Sequence, residues 1–426
     1  MSLAALWDSL LPIGLAAETG GYRRYSFTAA DSACRDWFLR AAAERGLRAH
    51  RDRNANLWAW WDCQAAGGEP EPAGSVSAGS GGSAGPPRPG AIVTGSHLDS
   101  VPDGGAYDGP LGVASGFAAI DLLRGQGFAP VRPIAVAAFC EEEGARFGVA
   151  CLGSRLLTGA LSPQRARQLR DGAGVTLAEA MTSAGLDPAG LGPDEDLVGG
   201  LAAFVELHIE QGSALDGLGA AVGVATGIWP HGRWRLDFTG RPDHAGTTRL
   251  ADRRDPMLPY AATVLAARQA AAEHGALATF GKVRAEPGGV NGISARVQAW
   301  LDARAPDGAA LDSVVADIEA AASAAADSHG AGLTVTRESF SPAVQFDQEL
   351  RGRLAAALTA SGIAAPELPT GAGHDAGVLA AFLPTAMLFV RNPTGVSHSP
   401  AELAARSDCE AGVAALAAVL ASLAGS

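Results

Sequence analysis

Residues 134–148, IAVAAFCEEEGARFG, run from an unbroken apolar stretch straight into three consecutive glutamates. A run this short and this apolar suits a strand buried on both faces of a largely parallel α/β sheet. Carboxylates crowded at the end of such a strand repel one another unless a cation or a proton offsets them. The pattern recurs on both sides. Residues 91–94, 202–207 and 386–390 are apolar runs of the same kind, with helical spacing between some of them, as over 111–123. The loops that follow begin GSHLDS (95–100), EEEGARFG (141–148), HIEQG (208–212) and RNPTGVSHSP (391–400). Acids and histidines thus gather just beyond the carboxyl ends of several strands, where open α/β sheets put their sites.

Farther out, 31–46 has helical spacing, with Ala33, Trp37, Phe38 and Ala41 on one face and Gly46 as its stop. Residues 64–90 are so rich in Gly, Ser and Pro that they read as a mobile surface loop. Between 212 and about 340 the texture changes. A strand pair is expected over 221–239, a helix over 256–275, a strand over 297–303 and a helix over 311–326, which together read as an inserted α+β sandwich. A helix over 348–361, the strand at 386–390 and a closing Ala/Leu helix over 410–423 complete the chain. The expected organisation is a catalytic domain in two parts, 1–212 and 343–426, interrupted by a second domain at 213–342.

The chain has 426 residues, 47 % of them hydrophobic and 18 % charged, which describes a globular protein of more than one domain. A formal charge of -13 repels phosphate backbones and anionic membrane surfaces, so nucleic acid and membrane are not expected partners. The five cysteines, Cys34, Cys63, Cys140, Cys151 and Cys409, are scattered and lack CxxC spacing, which fits reduced thiols in a cytosol. The first residues lack a basic stretch and carry Asp8 and Glu18, so they read as a helix and not as a signal peptide. No apolar run reaches the roughly 18 residues of a membrane span. A cytoplasmic location is expected.

Metal catalysis needs neutral imidazoles and carboxylates converging from separate loops. The candidates are His97, Asp108, Glu142, Glu143, His208 and His398. Asp99, two residues after His97, is placed to orient its ring, and the glycines in Ala106-Tyr-Asp-Gly-Pro-Leu-Gly, the string that carries Asp108, let backbone approach a cation closely. Taken singly, each has an ordinary structural explanation: a lone His is usually a hydrogen-bonded core or surface group, and an acidic triplet a solvated helix start. Together they point to one site. Spacing alone leaves open which of Glu141, Glu142 and Glu143 faces it.

The strings GSHLDSVPDGGAYDGPLGV, EEEGARFG, ELHIEQG, GRPDHAGTT with RRDP, GAGHDA and GVSHSPAE occur in that order. In this the chain resembles the amidase/hydantoinase/carbamoylase family of dinuclear metal hydrolases, from about Gly20 to Glu402. The resemblance implies that His97, Asp108 and His208 hold one divalent metal and that Asp108, Glu143 and His398 hold a second, with Asp108 bridging and Glu142 as base. Zinc suits these ligands, and manganese, cobalt or nickel would also fit. The resemblance further implies that the inserted domain is a lid that supplies a homodimer contact. His244 would stabilise the oxyanion, and Asn291 and Arg304 would bind the substrate carboxylate, for which a planar guanidinium is well shaped. A surface salt bridge remains an alternative for Arg304. Gln211 is a further candidate substrate contact, and His374 and Asp375 line the site or serve a structural bond. His231 stays open, and His50, His274 and His329 carry no assignment.

Arg249-Leu250 and Asn291-Gly-Ile-Ser-Ala depart from the family's usual strings; both fall in the lid, and they bear on the substrate's identity and not on the metal chemistry. The implied substrate is a small carboxylate-bearing ureido or amide compound, first an N-carbamoyl-L-amino acid. Allantoate, a β-ureidopropionate, or an N-acyl amino acid or dipeptide are the alternatives, and an inactive binding protein on the same fold is the non-enzymatic one.

Overall fold

The computed structural model describes residues 2–63 and 89–425. Nearly all of the loop expected at 64–90 lies outside them. The chain forms two compact units: Met1–Thr226 with Gln345–Leu368 and Gly373–Ser426, and Gly227–Val344 with Pro369–Ala372.

The first unit is built on a mixed sheet. Its strands run in the order Arg48–Arg51, Leu57–Trp61, Ile134–Phe139, Ala91–His97, Leu201–Ile209, Thr385–Val390 and Val222–Ile228. The four strands from Ile134–Phe139 to Thr385–Val390 are parallel to one another, and the pairings on either side of them are antiparallel. The expected parallel core is therefore present, with antiparallel edges. Ala91–His97, Ile134–Phe139 and Thr385–Val390 are buried along their whole length, and Leu201–Ile209 at every residue but Ala202, as their apolar runs require. Helices Pro110–Gly125 and Arg406–Ala424 pack together over one face through Phe117, Ile120, Leu416 and Leu420. Pro110 opens the first of these, where its missing N–H is no loss. Arg406–Ala424 is long and apolar enough to cross a membrane, but its apolar side chains are spent on this core.

Register decides where function can sit. His97 pairs with Phe139 and Gly95 with Glu206 in the parallel ladders, and His208 pairs with Phe389. The carboxyl ends of all four core strands therefore finish at one level.

The second unit is a four-stranded antiparallel sheet in the order Gly332–Ser341, His231–Thr239, Arg296–Arg304, Leu277–Glu286. Helices Met257–Glu273 and Gly308–Ser328 pack on it through Leu236, Phe238, Val297, Leu301, Val314 and Ile318. Burial alternates residue by residue along Arg296–Arg304, the period of a half-buried strand.

Three expectations need correction. The pair foreseen over 221–239 does not form. Val222–Ile228 stays in the first sheet beside Thr385–Val390, whereas His231–Thr239 opens the second. Trp229-Pro230 between them lacks the Asn-Gly or Gly chemistry of a tight hairpin. For the same reason the first unit extends to Thr226 instead of ending at Gly212. Strands Leu277–Glu286 and Gly332–Ser341 were not foreseen, because they are the sheet's exposed edges and carry polar residues such as Lys282 and Arg337.

Candidate metal centre

All the candidate ligands but Asp108 sit at or just beyond the end of a core strand. His97 ends Ala91–His97, His208 lies one residue before the end of Leu201–Ile209, and Glu142 and Glu143 follow Ile134–Phe139. Asp108 precedes helix Pro110–Gly125, and His398 rides the loop after Thr385–Val390. Fully buried Asn392 shapes that loop by accepting the N–H groups of Thr394 and Gly395 (3.1 Å each) and donating to the Val396 carbonyl (2.8 Å).

These segments bring the ligating atoms of His97, Asp108 and His208 within 4.8 Å of one another, and likewise those of Asp108, Glu143 and His398. Asp108 belongs to both groups. Its Oδ1 lies 3.6 Å from His97 Nε2 and 3.2 Å from His208 Nε2, and its Oδ2 lies 3.4 Å from His398 Nε2. Glu143 Oε2 is 3.7 Å from His398 Nε2, and Glu142 Oε2 is 3.7 Å from His97 Nε2. Gly109 makes this closeness possible: at φ 85° it has a backbone that L side chains rarely adopt, and a Cβ there would fall 2.4 Å from His97 Cε1.

The acidic triplet is sorted by its turn. Glu141, at φ 55°, folds its carboxylate back to accept the N–H groups of Arg146 (2.9 Å) and Phe147 (2.8 Å). Glu142 and Glu143 are left to face the histidines. Asp99 works differently from expectation. His97 Nδ1 meets the Asp99 main-chain carbonyl at 3.1 Å, while the Asp99 carboxylate accepts the N–H groups of Glu142 and Glu143, both at 3.1 Å. His208 Nδ1 is likewise fixed by the Ile209 carbonyl at 2.8 Å, so both rings direct Nε2 inward. Gln211 donates to Asp108 Oδ2 at 2.9 Å.

Other groups in this cluster were missed or left open. Glu206, two residues before His208 on the same strand, shares its side of the sheet and is fully buried, accepting Ser96 Oγ (2.7 Å) and Ala376 N–H (3.0 Å). A carboxylate inside an otherwise apolar run was the available signal. His374 stacks edge-on to His208 with ring centroids 4.5 Å apart, and Asp375 accepts Ser154 Oγ at 2.5 Å. Cys151 donates its thiol hydrogen to Glu142 Oε1 at 3.2 Å.

The two ligand groups offer carboxylate oxygen and imidazole nitrogen, a set that suits divalent cations. His208 Nε2 and Glu143 Oε1 are buried without hydrogen-bond partners, as atoms reserved for a ligand would be. Burial and the neighbouring Asp108 push the Glu143 carboxyl up to about 8, and burial drives Glu142 well above the carboxylate range. Burial acts on Asp108 in the same sense, but His208 and His97 override it and hold Asp108 well below that range. Glu141 and Glu402, also raised by burial first, sit at about 7.

These raised carboxyls fix a sign. The folded, chelated protein keeps protons that an unfolded chain, with Glu near 4.3, has released, so stability is lost as pH rises from about 4 to about 8. Cations displace those protons. The Tm of chelated protein should fall between pH 6 and pH 8, and the stabilisation by added divalent metal should grow over the same interval. An equal or higher Tm at pH 8 without metal would contradict the assignment.

In the second unit, Gly292 pairs with His244, and the Asn291 carbonyl accepts Ala245 N–H at 2.9 Å. His244 Nδ1 accepts Gly246 N–H at 2.9 Å, so the neutral ring presents Nε2–H as a donor. Arg304 pairs with Asp302 (2.8 Å) and donates to the Gly371 carbonyl (2.5 Å).

Residues 93–422 match Peptidase family M20/M25/M40. The chain is 36 % identical over 414 residues to an N-carbamoyl-L-amino acid amidohydrolase of Geobacillus stearothermophilus, covering 96 % of each chain. It is 34 % identical over 337 residues to an allantoate amidohydrolase of Escherichia coli (strain K12), covering 78 % of this chain and 81 % of that one. Among solved structures, an amidase of the hydantoinase/carbamoylase family from Burkholderia multivorans aligns with a TM-score of 0.82 at 29 % identity, over 100 % of this chain and 98 % of that one.

Proposed function

Because the chain belongs to Peptidase family M20/M25/M40, we propose that it hydrolyses an N-carbamoyl-L-amino acid with one water, releasing the amino acid, ammonia and carbon dioxide. It is a metal-dependent hydrolase of linear C–N bonds. The observation that carries the substrate is the 36 % identity to the carbamoyl-amino acid enzyme, which extends over 96 % of both chains.

His97, Asp108 and His208 would hold one cation and Asp108, Glu143 and His398 the other, zinc first, with manganese, cobalt or nickel as substitutes. When bound, the two cations polarise the scissile carbonyl and lower the pKa of water. Glu142 takes the water's proton and returns it to the departing nitrogen. His244, with Nε2–H free to donate, serves the oxyanion. Asn291 and Arg304 bind the substrate carboxylate. Gln211, which donates to Asp108 Oδ2 beside the ligand groups, adds a polar contact to the substrate. We further propose a cytoplasmic homodimer joined through the second unit. Five unbonded cysteines support the compartment. Leu258 and Leu265, two turns apart on one helix and 49 % and 73 % exposed, support the dimer contact.

Arg304→Ala should raise KM about tenfold to a hundredfold with kcat little changed, the loss of a charge-assisted hydrogen-bonded pair worth about 1.5–3 kcal/mol. Steady-state kinetics on an N-carbamoyl amino acid and on its carboxamide check it, since only the carboxylate should discriminate between wild type and variant.

Ammonia release from N-carbamoyl-L-amino acids, allantoate and N-carbamoyl-β-alanine tests the substrate. Turnover of allantoate in preference to the others would move the chain to its second relative's activity. Silence on all three, with N-acyl amino acids or dipeptides turned over, would end the ureido reading and leave the hydrolase.

A further inference from the structure

Glu402 belongs to none of the ligand groups, yet it is 5 % exposed and fully engaged. Its Oε1 accepts the main-chain N–H groups of Tyr107 (3.1 Å) and Asp108 (3.0 Å). Its Oε2 accepts the Ser397 hydroxyl at 3.2 Å, and that hydroxyl also lies 3.4 Å from Asp108 Oδ2. Its own N–H donates to the Ser399 carbonyl at 3.0 Å. One carboxylate thus ties the segment carrying Asp108 to the loop carrying His398. The fit is close: a Cβ at Gly105 would fall 2.4 Å from Glu402 Oε1 and 2.5 Å from its Cβ, so the 104–109 turn closes around this side chain only with glycine at that position.

The two ligand groups differ in what holds them. His97 and His208 sit on core strands and are each 1 % exposed. His398 has a side chain 52 % exposed and lies on a loop at φ 55°, with no ladder to fix it. Its distance from Asp108 depends on side chains that reach both: Gln211, 2.9 Å from Asp108 Oδ2 and 3.4 Å from His398 Nε2, and Glu402, which holds the Asp108 main chain and, through Ser397, the loop itself.

We propose that Glu402 is a positioning residue that sets the separation of Asp108 and His398 and thereby the affinity of the second cation group, Asp108–Glu143–His398, over the first. The inference rests on the two-cation reading above. It assigns Glu402 no contact with cation or substrate.

The test is a competition titration of the purified full chain with Zn²⁺ against a chromogenic chelator, alongside thermal melts to establish folding. Wild type should take up two Zn²⁺ per chain. Glu402→Ala should retain one as tightly as wild type and bind the other about tenfold to a hundredfold more weakly, the usual effect of losing a group that orients metal ligands. Glu402→Gln keeps an acceptor oxygen for the two N–H groups and should restore the second. If Glu402→Ala fails to fold, Ser397→Ala removes the Oε2 strut together with the hydroxyl's contact to Asp108 Oδ2 and should weaken the same single cation. Two equally tight cations in a folded Glu402→Ala, equal weakening of both, or a Glu402→Gln no better than Ala would each overturn the proposal. A wild type that binds no Zn²⁺ would instead remove the two-cation reading on which it stands.

Discussion

Glu142→Gln is expected to lower kcat by about a hundredfold to ten-thousandfold, the range contributed by a positioned general base, with KM within a few-fold and metal content unchanged. The amide keeps the side chain's shape but cannot take up a proton. Glu142 Oε1 accepts the Cys151 thiol hydrogen while Oε2 faces His97, so one oxygen is anchored and the other directed at the ligand cluster. Burial drives this carboxyl well above its ordinary range, so a neutral amide of the same shape suits the same buried position and should not unfold the protein. Rates at saturating substrate, with metal measured by mass spectrometry on the same preparation, separate the outcomes. A kcat within tenfold of wild type at full metal content would remove Glu142 from the role of base.

Asp108→Ala should be more damaging still. Asp108 is the one residue common to both ligand groups, and its two oxygens face different histidines: Oδ1 toward His97 and His208, Oδ2 toward His398. Its removal takes a ligand from each group at once and leaves His97 and His208 without the carboxylate that lies between them. The expected result is loss of both cations and activity below detection, whereas His398→Ala should lose one cation. Metal stoichiometry of the two variants side by side checks this. Retention of two cations by Asp108→Ala would rule out a shared bridging ligand.

The structure gathers the six candidates His97, Asp108, Glu142, Glu143, His208 and His398, although they are spread along the sequence from 97 to 398. His97, Glu142, Glu143, His208 and His398 were legible because they lie at or beyond the ends of short, largely apolar runs, and parallel strands bring the ends of such runs to one level whatever lies between them in the chain; Asp108 stood out by its glycine-rich surroundings instead. The edge strands Leu277–Glu286 and Gly332–Ser341 were not legible, since an edge exposed to water carries no apolar signature.

What the amino-acid sequence determined by itself is the α/β core, the inserted sandwich and the inventory of ligating groups, because burial pattern and residue chemistry are local properties of the chain. Tertiary structure alone decided that Glu141 turns away while Glu142 and Glu143 face inward, that Asp99 steadies His97 with its carbonyl and the glutamates with its carboxylate, and that Glu206 and Glu402 stand behind the ligands. Each of these depends on a hydrogen bond or a backbone angle set by segments meeting in space. A carboxylate's partner is whichever donor the fold brings within about 3 Å of it, and no spacing along the chain encodes that distance.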